Sequence, residues 1–250
     1  MYSGEQVNNE IELFGDGIGK VQYIEHMGSD LTIVNSARVS FGNSKEELDQ
    51  KDRRLINYLV RHKHTSTFEH NVMTFKFTVP LFIRSQHHRH RTWSYNEISR
   101  RYTDKDLRFY EPKEFRSQHK SNRQASNPDD TCNPMLQRYN PACSHPIPVL
   151  ASTMIANHHK TSVKLFDDLL AAGVCREQAR GVLPQNLYTE YYGTVNLNNL
   201  LKFIDLRIHE GAQWEIVQVA KACLEIARER WPVAIESYRK VRGLSEEDKS

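Results

Sequence analysis

Between Arg84 and Arg101 the chain concentrates five arginines and three histidines (His87, His88, His90) around a single acid, Glu97, with no lysine. The preference for arginine has a chemical meaning. A guanidinium is a planar fork that grips a phosphate or carboxylate through two parallel hydrogen bonds and stacks on flat rings. Trp93, Tyr95 and Tyr102 interleave with these cations, and Ser94, Asn96 and Ser99 add short hydrogen-bonding side chains. Such a stretch suits a planar anionic ligand, for example a nucleotide. Three other readings stay open at this point. The run is a solvated basic face. Or the histidines bind metal, although neighbouring helix positions do not share a face and no HExxH or Cys/His spacing is present. Or the arginines and aromatics bind nucleic acid, although no recognition motif accompanies them.

The elements that must position this stretch are legible on both sides of it. Residues 71 to 79 alternate strictly, with Met73, Phe75, Phe77 and Val79 on one face and Val72, Thr74, Lys76 and Thr78 on the other, which predicts a strand. Pro80 stops that strand and can open a helix over 81 to 91. Upstream, Val21–Ile24 and Leu31–Val34 are short β-prone runs broken by Gly28-Ser29-Asp30. Leu48, Leu55, Ile56, Leu59 and Val60 predict a helix over 45 to 62, with Ser44 and Glu47 spaced as a capping box. Downstream, 104 to 148 is rich in Asn, Asp and Pro and reads as a long loop excursion. Apolar stripes predict helices at 149–171, 175–181, 197–210 and 211–229. Trp214, Ile216, Val217, Ala220, Cys223, Leu224 and Ala227 read as core with no chemistry. The fold class expected is α+β: an antiparallel sheet packed with helices, followed by a mainly helical C-terminal half.

The bulk properties set limits. The 250 residues are 38% hydrophobic and 26% charged, with a formal net charge of +3. That is enough for one sizeable core, and too mild a charge to argue for nucleic acid by itself. The expectation is a single domain over 1–250, with 1–17 and 236–250 peripheral. No apolar run approaches the roughly 20 residues that span a bilayer. The start, Met-Tyr-Ser-Gly-Glu-Gln, lacks the basic and apolar regions of a signal peptide. Cys132, Cys143, Cys175 and Cys223 form no CxxC pair and read as free thiols of a reducing compartment, hence a cytoplasmic protein, or one of the host cytoplasm if viral. Ser99 has no Gly-x-Ser-x-Gly setting, and no GxGxxG follows a strand, so neither a serine hydrolase nor a Rossmann fold is indicated. Gly15-Asp16-Gly17-Ile18-Gly19 reads as a turn.

Arg89-His90-Arg91, seven residues, then Ser99 reproduces the RHRx7S signature of flavin-dependent thymidylate synthases, and the fuller string RHRTWSYNEISRRY also resembles the family form. His64-Thr65-Ser66-Thr67-Phe68-Glu69-His70 resembles the family's HxSxxEH segment. Ala179-Arg180-Gly181-Val182-Leu183-Pro184 resembles its ARxxLP turn. Thr194-Val195-Asn196, Leu206-Arg207 and Ala212-Gln213-Trp214-Glu215 follow in the expected order. The resemblance covers about residues 20 to 235, patchily over 104 to 148. On the residues alone, His64, Ser66 and Glu69 could cap a helix–strand junction, Arg180 could decorate a helix end, and Arg207, just beside the apolar stripe of its helix, could snorkel.

The resemblance implies a reductive methylation of dUMP to dTMP. Methylenetetrahydrofolate would give the one-carbon unit, FAD would carry the hydride and NADPH would reduce it. By similarity, Gln86, His87, His88, Arg89, Glu97, Ile98, Ser99, Arg100, Arg101, Arg180 and Arg207 would form the dUMP site. Arg207 would be the catalytic residue, favouring the N3-deprotonated pyrimidine. His64, Ser66, Glu69, Arg89, His90, Arg91, Glu97, Asn196, Leu197, Asn198 and Lys202 would face FAD. No metal is implied. The family pattern is a homotetramer with sites where subunits meet. Two positions depart from it: Asn198 and Gly211 stand where arginine and histidine are frequent, with Lys202 and His209 as possible compensations.

Overall fold

The computed structural model describes residues 9–103, 106–139 and 145–244. Two compact units divide the chain. The first lies within 1–78, 86–96 and 190–250, and the second within 79–85 and 97–189. The described residues form nine strands and eight helices. In chain order they are β1 (Glu10–Glu12), β2 (Lys20–Met27), α1 (Asp30–Arg38), α2 (Gln50–Arg61), β3 (Val72–Pro80), α3 (Leu81–His87), β4 (Ser94–Glu97), β5 (Phe115–Gln118), β6 (Ser126–Cys132), β7 (Met135–Arg138), β8 (Ile147–Leu150), α4 (Ala151–Ala171), α5 (Arg176–Ala179), β9 (Tyr188–Asn196), α6 (Leu197–Arg207), α7 (Trp214–Arg230) and α8 (Pro232–Arg242). The class is α+β, as the sequence predicts.

The main sheet has the order β1-β2-β3-β9-β4. β2 pairs antiparallel to both β1 and β3, from Lys20↔Thr78 to Met27↔Val72, with an irregularity between Tyr23 and Glu25. Thr74 meets Thr194 at 3.0 Å, and Lys76 Nζ meets a Glu190 carboxylate oxygen at 2.9 Å. Numbers rise along β3 as they fall along β9, so these neighbours also run antiparallel. The alternation predicted for 71–79 is present: Met73, Phe75, Phe77 and Val79 are wholly buried. β9 was not anticipated. Its buried apolar residues, Tyr188, Tyr191 and Val195, are too few to give a period-2 signal.

Helix starts are set by caps, and at α1 and α2 the sequence misleads. Leu31–Val34 is helix, not strand. Ser29 accepts from Thr32 N while its own N–H donates to Thr32 Oγ1, a reciprocal cap that outweighs the β propensity of the run. Asp30 then reaches across the chain, accepting from Val233 N and Ala234 N at 2.9 Å each, so it holds the first turn of α8. The second helix starts at Gln50 rather than 45. The capping pair is Asp49 with Asp52, not Ser44 with Glu47. Asp52 is fully buried against Arg38 and Lys45. The helix after Pro80 stops at His87, short of 91, and α8 runs to Arg242 with Tyr238 and Arg239 buried.

The second unit has its own core of Phe166, Ala179, Leu183 and Leu187. Within the excursion at 104–148, β5 pairs with β6 and, at its end, β7 with β8. These are short ladders whose burial is too slight to leave a sequence pattern. The Gly15–Gly19 stretch is a turn in which Asp16 Oδ1 accepts from Ile18 N and Gly19 N. Cys132 and Cys175 are exposed free thiols and Cys223 is a buried one; Cys143 lies outside the described residues. Among the described residues no helix is long and apolar enough to cross a membrane.

Candidate active site

The first unit packs a block of rings behind the Arg-His-Arg segment. Phe77 of β3 stacks on Tyr191 of β9, with centroids 5.0 Å apart, and meets the His87 ring edge-on at 4.7 Å. Trp93 lies 4.5 Å from His87 on another side. Gly193 makes room for this. A Cβ there would sit 2.8 Å from Phe77 Cε2 and 3.2 Å from Trp93 Cε3. His87 is wholly buried, and its Nδ1 shares a 2.8 Å hydrogen bond with the Tyr191 hydroxyl. Burial first, and then the neighbouring His90, His88 and Arg207, hold its pKa well below the usual value, so the ring is neutral. The Tyr95 hydroxyl donates to the carbonyls of His87 at 2.8 Å and His90 at 3.2 Å, pinning the chain as it leaves α3.

On this frame sits Arg207, the last residue of α6. Leu197, Leu200, Phe203 and Ile204 bury the helix stripe, and Arg207 is half-buried beside it. Its guanidinium does not snorkel. Nε donates to His90 Nε2 at 3.0 Å and Nη2 donates to the Gln86 carbonyl at 3.0 Å. A histidine nitrogen that accepts from a guanidinium must be unprotonated. His90 is therefore neutral, with its proton on Nδ1. Its pKa is accordingly pushed down to about 4, by burial first and then by the Arg207 charge. Gln86 is itself braced: its amide donates to Gln213, whose amide donates to buried Glu215 at 2.9 Å.

Of the residues predicted to face a flavin, several cluster in this unit. Asn196 is spent as the α6 N-cap, accepting from Asn199 N at 2.9 Å. Asn198 is buried and donates to Glu69 Oε1 at 2.8 Å. Leu197 is buried, while His64 and Ser66 are exposed in a turn before β3. His64, Asn198 and Lys202 line one cavity of about 280 Å³. Arg89 and Arg91 are exposed.

The second unit holds the other group. A polar cavity of about 490 Å³ is lined by Arg84, Glu97, Ile98, Ser99, Arg100 and Arg180, among others. Glu97 is the organising acid: it lies 3.2 Å from Arg84 Nε and accepts from Thr189 Oγ1 at 2.7 Å. Ser99 starts a turn. Its carbonyl accepts from Tyr102 N at 3.0 Å, and its hydroxyl from Arg101 N at 3.3 Å. Arg100 donates to the Tyr188 carbonyl at 3.4 Å, and Arg101 lies 3.6 Å from Glu177. Arg180 makes no ion pair among the described residues. Arg84 and Thr189 were not in the predicted set. Arg84 carried a signal, since it belongs to the arginine run; Thr189 carried none, because its role depends on a partner 92 positions away. The braces Tyr95, Tyr191, Gln213 and Glu215 were likewise unassigned.

Guanidinium forks, a hydroxyl turn and a packed aromatic frame are the equipment of a protein that binds phosphorylated rings. The chain belongs to the thymidylate synthase complementing protein family, whose model it matches over residues 22–233. It is 41% identical over 220 residues to a flavin-dependent thymidylate synthase of Thermus thermophilus, covering 88% of this chain and 75% of that one. It is 41% identical over 222 residues to the enzyme of the same name from Thermotoga neapolitana, covering 89% and 91%. Among solved structures it resembles a UMP/dUMP methylase, PolB of Streptomyces cacaoi, bound with 5-Br dUMP. That match has a TM-score of 0.71 and 30% identity, over 92% of this chain and 97% of the other.

Proposed function

We propose that this protein is a flavin-dependent thymidylate synthase that converts dUMP to dTMP, with methylenetetrahydrofolate as one-carbon donor, FAD as hydride carrier and NADPH as reductant. The observation that carries this reading is the fixed, half-buried guanidinium of Arg207, held by His90 Nε2 and the Gln86 carbonyl in a chain that matches the family over most of its length.

The residues suit the groups they would hold. Arg84, Ser99, Arg100 and Arg180 around a polar cavity suit a nucleotide phosphate, whose oxygens accept from guanidinium forks and a hydroxyl. Glu97 keeps Arg84 in place and sets the charge of the cavity. Gln86, His88, Arg89, Ile98 and Arg101 complete the proposed dUMP set. Buried His87 acts behind it, by positioning. Arg207 set beside a pyrimidine lowers the pKa of N3, because a fixed cation favours the ionised ring. The polarised ring then needs no cysteine nucleophile. His90 stays neutral, which keeps a second positive charge from competing with Arg207 for the ring.

His64, Ser66, Glu69, Arg89, His90, Arg91, Glu97, Asn196, Leu197, Asn198 and Lys202 are the residues proposed to hold FAD. A bound flavin supplies hydride transfer, and the protein supplies orientation and electrostatics. The assembly proposed is a homotetramer with active sites where subunits meet, so one chain need not provide the whole set. The nucleic-acid alternative gains no support. Arg84 is tied to Glu97, and Arg207 turns inward to His90.

The visible spectrum of the purified protein tests this directly. A yellow protein whose NADPH oxidation depends on dUMP, with dTMP as product, is expected. A colourless protein that takes up no flavin when FAD is added sinks the reading.

A further inference from the structure

Gln86 stands at the end of a run of side chains whose hydrogen bonds all point one way. Its Nε2 donates to Gln213 Oε1, and Gln213 Nε2 donates to Glu215 Oε2 at 2.9 Å. A carboxylate accepts and has no proton to give. Gln213 must therefore turn its NH2 group to Glu215. That leaves the Gln213 oxygen for Gln86, which must turn its own NH2 group toward it. The two ends of an amide are nearly the same size, and an unheld glutamine presents either one. Held in this way, Gln86 is left with Oε1, which accepts no hydrogen bond among the described residues.

The placement of both partners calls for such a role. Glu215 lies in the first turn of α7, where any acid suits the helix dipole. An exposed carboxylate would serve the dipole without the cost of desolvation, yet Glu215 is buried. Gln213 is the N-cap residue of α7, a position favoured by short side chains that accept from the helix, and its side chain makes no such bond. Its amide is committed to Gln86 and Glu215 instead. Gln86 is fixed at its main chain too, where the carbonyl accepts from Arg207 Nη2 at 3.0 Å. The residue that holds Arg207 is thus the one whose side-chain amide is given a direction.

We infer that Glu215 is a positioning residue: acting through Gln213, it fixes the Gln86 amide so that its oxygen meets a hydrogen-bond donor of the nucleotide. The donor is the sugar 3′-hydroxyl. The ionised phosphate and the two ring carbonyls of dUMP only accept, and N3 gives up its proton beside Arg207. The 3′-hydroxyl is the donor that remains. The inference rests on the proposed dUMP set, to which Gln86 belongs, and places Gln213 and Glu215 behind that set.

The test compares dUMP with its 3′-deoxy analogue by calorimetry, using the full chain as purified and the variants Glu215→Gln and Gln213→Met. Wild type should bind dUMP about three- to tenfold more tightly than the analogue, the worth of one neutral hydrogen bond. In Glu215→Gln the terminal group can donate, so the amides can turn over and the preference should disappear. Gln213→Met keeps the length of the side chain, cuts the relay and should abolish the preference as well; it serves where Glu215→Gln does not fold. A merely structural Glu215 would weaken both nucleotides together and leave their ratio as in wild type. That result, or a wild type without the preference, overturns the inference. A wild type that shows the preference and forms no dTMP keeps the relay and sinks the methylation reading. One that forms dTMP without the preference sinks the relay alone.

Discussion

Arg207 Nε and His90 Nε2 share a 3.0 Å hydrogen bond across 117 positions of sequence. The bond joins the arginine-rich stretch to the end of α6 and settles two protonation states together. A charged Arg207 donates, so His90 must accept and stay neutral.

Arg207→Ala should lower kcat for dTMP formation by about a hundredfold to a thousandfold, the range for removal of one preorganised charge-stabilising group. Arg207→Lys should recover little. An ammonium lacks the flat fork that reaches His90 and the Gln86 carbonyl at once. Circular dichroism checks that the fold persists. A variant with wild-type kcat would remove Arg207 from the chemistry.

His90 should leave a signature in stability against pH. Its pKa drops on folding from 6.5 to about 4, so between those values the unfolded chain binds more protons than the folded one. The stability it contributes is complete above pH 6.5 and is lost progressively as pH falls toward 4. Buried His87 acts in the same direction. Urea unfolding at pH 7 and pH 5 should show a larger loss in wild type than in His90→Gln. By NMR, the His90 ring resonance should not titrate near 6.5; a midpoint there would contradict the hydrogen bond.

Gly193→Ala places a methyl group against Phe77 and Trp93, the frame behind His87. Overpacking of this kind costs about 1–3 kcal/mol. Chemical denaturation measures it. Because both rings touch His87, the variant should also lower turnover at a temperature where it remains folded. Unchanged stability would mean that the frame yields more readily than its packing indicates.

Arg180→Ala removes a guanidinium from the polar cavity that also holds Arg84 and Ser99. Binding of dUMP should weaken about tenfold to a hundredfold, the worth of hydrogen bonds to a charged group. Deoxyuridine, which has no phosphate, should bind wild type and variant alike. If both ligands weaken together, Arg180 contacts the nucleoside and the phosphate assignment is wrong.

The sequence by itself determined the parts whose physics is local. Strict alternation over 71–79 placed β3, because successive side chains of a strand face opposite ways. Leu197, Leu200 and Ile204 placed α6, with Arg207 beside the stripe rather than opposite it. The arginine run and its spacing to Ser99 carried the resemblance to the family whose model the chain matches. What it misread was also local but in competition: Leu31–Val34 favours a strand, and the Ser29–Thr32 cap turns it into a helix. Tertiary structure alone decided the rest. Partners 92 and 117 positions apart fix Glu97 on Thr189 and make His90 a neutral acceptor. Lys63 takes a backbone conformation that its residue type disfavours. Hydrogen bonds and burial between distant segments leave no periodic mark on a chain, so they become visible when the chain is folded.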